Sequence, residues 1–137
     1  MRFYLAAAFH RKAEMKALSL LIISLGLVCT SRWLDETQCP HGGEERKIFL
    51  CDTAKIDFED VKSADMLIRF SDDLSTATIP SRWATGGRLV ETGLALAWGK
   101  RVVVVGGHQP IFDHLPQVVH IKDEDELLTY LRQQEYI

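Results

Sequence analysis

The chain is punctuated by short runs that are apolar from end to end, and this constrains its fold more than any other feature. Residues 2–7, 27–31, 66–70, 101–105 and 117–121 are rich in β-branched, aromatic and leucine side chains and do not alternate polar with apolar. A half-exposed strand alternates, whereas a strand apolar on both faces must be covered on both, as in a parallel sheet. Between these runs lie helical stretches at residues 11–25, 58–63, 87–98 and 123–133. Strands alternating with helices imply right-handed βαβ units. The expected fold class is therefore α/β, with a five-stranded parallel sheet and helices on both faces.

Composition narrows the function classes. At 137 residues, 47% of them hydrophobic and 26% charged, the chain matches one ordinary globular domain over residues 1–137. Sixteen Lys and Arg stand against nineteen Asp and Glu, so no basic field exists to hold a nucleic-acid polymer. Cys29, Cys39 and Cys51 match neither a zinc pattern nor a small disulfide framework, which points to a reducing cytoplasm. The five histidines contain no i,i+4 pair and no H-E-x-x-H, so no metal is expected. Neither G-x-G-x-x-G nor G-x-x-x-x-G-K-[ST] occurs, and no cofactor is implied. The apolar segment ALSLLIISLGLVC, residues 17–29, follows Arg11, Lys12 and Lys16 in the order of a secretory signal. It is too short to span a bilayer, and MRFYLAAAF before it is strand-like, so a buried helix stopping at Gly26 is the reading preferred.

Two stretches lack strong periodicity, residues 32–57 and 71–85. Both follow strands, at the carboxyl edge where open parallel sheets bind ligands, and both are long for connections. The densest chemical signal comes next, in ATGGRLVETGLALAWGK, residues 84–100. Thr85 can cap a helix, Gly86 and Gly87 free the backbone at the turn, and Arg88 adds a cation beside amides that suit a phosphate or a sugar hydroxyl. Glu91 follows one turn later among Leu89, Val90, Leu94 and Ala95. A carboxylate there either needs a partner or a purpose, or is a solvated residue favouring the helix dipole.

Asp65 stands directly before the third strand, as a plain turn residue or as a second carboxylate; Asp72 and Asp73 follow that strand as loop residues or sugar ligands. After the first strand, Ala7 and Ala8 permit close approach to the backbone, and Arg11 opens a helix where a phosphate can sit. Phe9, Trp33 and Trp83 are positioned either for packing or to stack a base.

Together YLAAAF, SADMLIRF and GGRLVETGLALAWGKRVVVVG resemble the nucleoside 2-deoxyribosyltransferase superfamily, which includes 2′-deoxynucleoside 5′-monophosphate N-glycosidases. Three motifs in the family's order cover most of the chain. The resemblance implies a flavodoxin-like, that is Rossmann-like, single domain and a dimer or larger homo-oligomer whose subunits complete each other's sites. It implies that Glu91, in G-x-x-x-E-x-G-x-A, is the nucleophile at C1′ and that Asp65 assists catalysis. It also implies that Tyr4 to Phe9 form the sugar loop. The sequence departs from the family in having Ala7 and Ala8 where Gly-Pro is usual. It also has Thr85 where transferases acting on free nucleosides carry an aspartate, which favours a nucleotide.

These residue types suit the reaction. Breaking an N-glycosidic bond builds oxocarbenium character that a carboxylate can trap, and the departing base needs a proton. Two nearby carboxyls push their pKa values apart so that one stays protonated. The expectation is a small-molecule nucleotide or nucleoside as partner, and no membrane. The alternative is a nucleotide-sensing Rossmann-like module without turnover, which would not need Glu91. A receiver-like signalling domain is set aside because Val103 to His108 offers no Lys.

Overall fold

A computed structural model of the protein describes residues 1–36, 39–71, 86–107 and 110–134. Five parallel strands form one sheet in the order β2-β1-β3-β4-β5. They are β1 (Arg2–Ala6), β2 (Val28–Cys29), β3 (Met66–Phe70), β4 (Arg101–Val105) and β5 (Val118–Ile121). Four α-helices accompany them: α1 (Lys12–Ser24), α2 (Gly43–Ser63), α3 (Gly87–Ala97) and α4 (Glu124–Gln133). Short 3-10 turns occupy Phe9–Arg11, Arg32–Asp35 and Ile111–His114. The α/β class, the five strands and their parallel sense are as the apolar runs imply.

Every residue of β3 is buried, as are four of the five in β1 and in β4. Both faces of the central strands are therefore covered. The chain steps from β1 outward to β2, then back across to β3 and on to β4, so right-handed connections put α1 on one face and α2 and α3 on the other. The reversal lies between β1 and β3, where ligands bind in sheets of this order. Strand register at that point pairs Tyr4 with Leu67 and Ala6 with Arg69.

Helix α2 is the largest departure from expectation. Residues 32–57 read as aperiodic, with a helix only at 58–63, yet the helix runs back to Gly43. Its described residues are mostly exposed, and only Asp60 and Val61 are fully buried. A helix that buries so little carries a weak apolar stripe, and periodicity does not find it. Strand β2 was expected over residues 27–31 but spans two residues. Beyond it, Ser31 Oγ accepts from the Leu5 N–H at 2.7 Å and Trp33 Nε1 donates to the Leu5 carbonyl at 2.7 Å, so side chains replace the ladder. The remaining boundaries lie within one residue of expectation. Helix α1 ends with Gly26 at φ 98°, the left-handed conformation glycine accepts at a helix end. No helix among the described residues is long and apolar enough to cross a membrane.

Candidate active site

A cavity of about 470 Å³ opens at the carboxyl edge of β1, large enough for a small organic ligand. Four segments build it. Ala7, Ala8, Phe9 and His10 come from the turn after β1; Trp33, Glu36 and Cys39 from the connection after β2; Gly87, Arg88 and Glu91 from α3. Helix α2 supplies Arg46, Phe49, Leu50, Thr53 and Asp57, whose spacing of three and four residues places them along one face.

Gly86 caps α3 at φ 76°, a left-handed conformation that lets the chain turn sharply into the helix. One turn on, Glu91 points back across the sheet, and the Tyr4 hydroxyl donates a hydrogen bond to its Oε2. Tyr4 is wholly buried in β1 and does not line the cavity. It fixes the Glu91 carboxyl, which does line the cavity. Burial pushes Glu91 up to about 8; the Tyr4 hydrogen bond opposes this, and the charges of Asp57 and Glu36 add to it. Burial, followed by the same glutamate's charge, also raises Tyr4 above the usual phenol range, so its proton stays in place as a donor.

Asp57 is pushed up to about 7, first by burial and then by the charges of Glu36 and Asp60, with Arg32 opposing. Glu36 is raised by burial, while Lys12 pulls it down. Among the described residues, Asp57 Oδ1 and Glu36 Oε1 are buried without a hydrogen-bond partner. The three carboxyls thus share one cavity and all are raised above the ordinary carboxylate range, Glu91 and Asp57 far enough that near neutral pH they keep protons that exposed carboxyls would have lost. Such a set can offer a carboxylate to an electrophilic carbon and a carboxylic acid to a leaving group.

The aromatic wall is Phe9 and Trp33, with ring centroids 6.4 Å apart and tilted by 39°. Lys12 approaches the Phe9 ring at 5.4 Å and donates to the Glu36 carbonyl oxygen, pinning that connection to α1. Arg32 fastens its other end to α2, with Nε donating to Asp60 Oδ1 at 2.8 Å and its backbone N–H to Oδ2 at 3.0 Å.

Of the residues singled out in the sequence, Ala7, Phe9, Trp33, Gly87, Arg88 and Glu91 line the cavity. Gly86 stands immediately behind Gly87. Asp65 is placed elsewhere: it is exposed at the amino edge of the sheet, where its Oδ2 accepts from the Arg2 N–H at 2.8 Å. β3 begins at Met66, so Asp65 sits a full strand length from the edge where the cavity opens. Arg11 also lies off the cavity lining. It bonds Glu14 at 2.8 and 3.0 Å and sits 5.2 Å above the Phe70 ring. Thr85, Asp72, Asp73 and Trp83 lie outside the described residues. Asp57 and Glu36 were not singled out. The usable signal was the series Arg46, Leu50, Thr53 and Asp57, a helical face inside a stretch that otherwise lacked one. Among the described residues no group of three or more His, Cys, Asp or Glu is placed to hold a metal ion.

No family profile matches the chain, and no curated protein matches it in sequence. Solved structures do match in fold. A CMP N-glycosidase of Clostridium botulinum, BcmB, superposes with a TM-score of 0.58 at 22% identity, over 98% of this chain and 100% of that one. A 2-deoxyribosyltransferase of Bacillus psychrosaccharolyticus gives a TM-score of 0.66 at 20% identity, over 99% and 93%. A conserved protein of Enterococcus faecalis V583 gives 0.60 at 17% identity, over 97% and 98%. The fold expected from the sequence resemblance is thus the fold observed, and it is matched over nearly the whole length of each chain.

Proposed function

We propose that the chain cleaves the N-glycosidic bond of a 2′-deoxynucleoside 5′-monophosphate or a nucleoside, or transfers the sugar to a second base, with Glu91 as the nucleophile at C1′. The observation that carries this reading is the Tyr4-held carboxyl of Glu91 facing Asp57 across a cavity with an aromatic wall. The Glu91 carboxylate attacks C1′ as the C1′–N bond breaks, and the bonding pair leaves with the base, which takes the proton of Asp57. A water or a second base then attacks C1′ and releases Glu91, with the Asp57 carboxylate accepting the incoming proton. Asp57 takes the place of the assisting carboxyl expected at Asp65 because it lines the cavity with Glu91, and of the two ways of sharing one proton the reacting form has it on Asp57.

Phe9 and Trp33 are suited to hold the base by stacking. The amino end of α3 at Gly86 and Gly87, with Arg88, is suited to a 5′-phosphate at about 1.5–3 kcal/mol per charge-assisted hydrogen bond. Two of the matching structures are by name enzymes of N-glycosidic bonds, one of them on a nucleotide. The test is a panel of deoxynucleotides, ribonucleotides and nucleosides scored for free base. Release from at least one member, abolished in Glu91→Gln, supports the reading. Binding that survives in Glu91→Gln with no release by the unaltered protein supports the sensing module instead.

The same reading includes self-association. Ile111 and Phe112 are 79% and 60% exposed in the segment after β4, and apolar side chains so placed call for cover. Sedimentation should show a dimer or larger species that Phe112→Asp dissociates. Cys29, Cys39 and Cys51 are free thiols, in keeping with a cytoplasmic setting.

A further inference from the structure

Glu36 closes the cavity from the connection after β2, and the mechanism above leaves it without a task. Its Oε1 and Asp57 Oδ1 are buried acceptors with no donor among the described residues. Glu91 is engaged by Tyr4, so the two unsatisfied acceptors belong to the other carboxyls, which lie beside the Phe9 and Trp33 rings that a flat ligand would stack against. Burial raises the Glu36 carboxyl, and Lys12, bonded to the Glu36 carbonyl, works against that and favours the charged form. Buried acceptors without donors are completed by a ligand that brings donors.

We infer that Glu36, with Asp57 beside it, selects a base bearing an amidine edge, an exocyclic amino group next to a ring nitrogen, over its oxo counterpart; this rests on the N-glycosidic reading above. In a 4-aminopyrimidine or a 6-aminopurine the amino group donates to the Glu36 carboxylate, and the ring nitrogen accepts from Asp57. In the oxo counterpart a carbonyl oxygen faces the carboxylate, lone pair against lone pair, and the two repel. Glu36 is thus a specificity residue whose effect depends on the base and not on the sugar.

The test uses Glu91→Gln protein, so that no nucleotide turns over, and calorimetry with two pairs, deoxycytidine against deoxyuridine 5′-monophosphate and deoxyadenosine against deoxyinosine 5′-monophosphate. In the pair the cavity admits, the amino member should bind at least about tenfold more tightly. Adding Glu36→Gln, whose amide can turn either its donor or its acceptor to the ligand, should bring the ratio within about twofold. No preference with Glu36 in place overturns the assignment, and this arm needs no change at Glu36. A preference undiminished in Glu36→Gln also overturns it, as does an equal weakening of both members, the signature of a contact to the sugar. Base release by the unaltered protein is followed in parallel. Preference without release from any nucleotide rejects the N-glycosidic reading and keeps the base selection, and release without preference does the reverse.

Discussion

The two ends of the sheet use the same side chain in opposite ways. At the amino edge Asp65 is exposed, takes the Arg2 N–H at 2.8 Å and has water for its remaining lone pairs. At the carboxyl edge Glu91, Asp57 and Glu36 are drawn out of water, crowd one another, and hold their protons to higher pH. One carboxylate ties strand to strand; the other three sit where burial disfavours their charged form. A carboxylate's environment, more than its place in a motif, decides which of these it does.

The contrast is broken most severely at Glu91. Glu91→Ala should lower base release by about a thousandfold or more while leaving the fold intact, because no other group is held against C1′. Free base measured by chromatography and the circular dichroism of the variant check both halves. Asp57→Asn should cost about 10²–10³-fold, within the range for a lost general acid. Its pH profile sharpens the point. The alkaline fall of kcat/KM, which follows loss of the Asp57 proton, should disappear. The acid limb, which follows ionisation of Glu91, should remain, because Asp57 is already uncharged in the form that reacts.

A smaller effect separates nucleotides from nucleosides. If Gly86, Gly87 and Arg88 hold a phosphate, kcat/KM for a deoxynucleotide should exceed that for its nucleoside by about tenfold or more. Equal values would restore a transferase of free nucleosides. Stability gives the next test. Glu91 binds its proton more tightly folded than unfolded, so its burial favours folding below about pH 4.5, and that contribution is lost as pH rises toward about 8. Glu91→Gln, which carries no charge to bury, should therefore gain a few degrees in melting temperature over the parent at pH 8 and little at pH 4.5. The smallest effect belongs to the amino edge. Asp65→Asn keeps an acceptor for Arg2 and should leave base release within about twofold of the parent. A loss as large as that of Asp57→Asn would erase the distinction between the two edges.

How much of this was legible follows from how each element is buried. β3 and β4 were read to the residue because apolar side chains face both ways, and α3 was placed by its glycines and apolar stripe. Helix α2 was not, because most of it faces solvent and its cavity-facing residues mix arginine, phenylalanine, threonine and aspartate. Asp57 was lost with it, and Glu36 lies in the aperiodic connection before it. Glu91 was legible as a carboxylate among apolar neighbours, but its hold by Tyr4 spans 87 residues of sequence and needed the sheet to bring them together. Asp65 shows the converse: it fits a motif, and the strand start at Met66 puts it at the edge opposite the cavity.

The central claim is that Glu91 forms a bond to C1′. A substrate nucleotide bearing fluorine at C2′ slows departure of the sugar from the enzyme, so the intermediate accumulates on mixing. Peptide masses after quenching should then show the sugar phosphate on the peptide containing Glu91, and no such adduct in Glu91→Gln. Stoichiometric base release with no adduct, or with the adduct on another residue, would contradict the account.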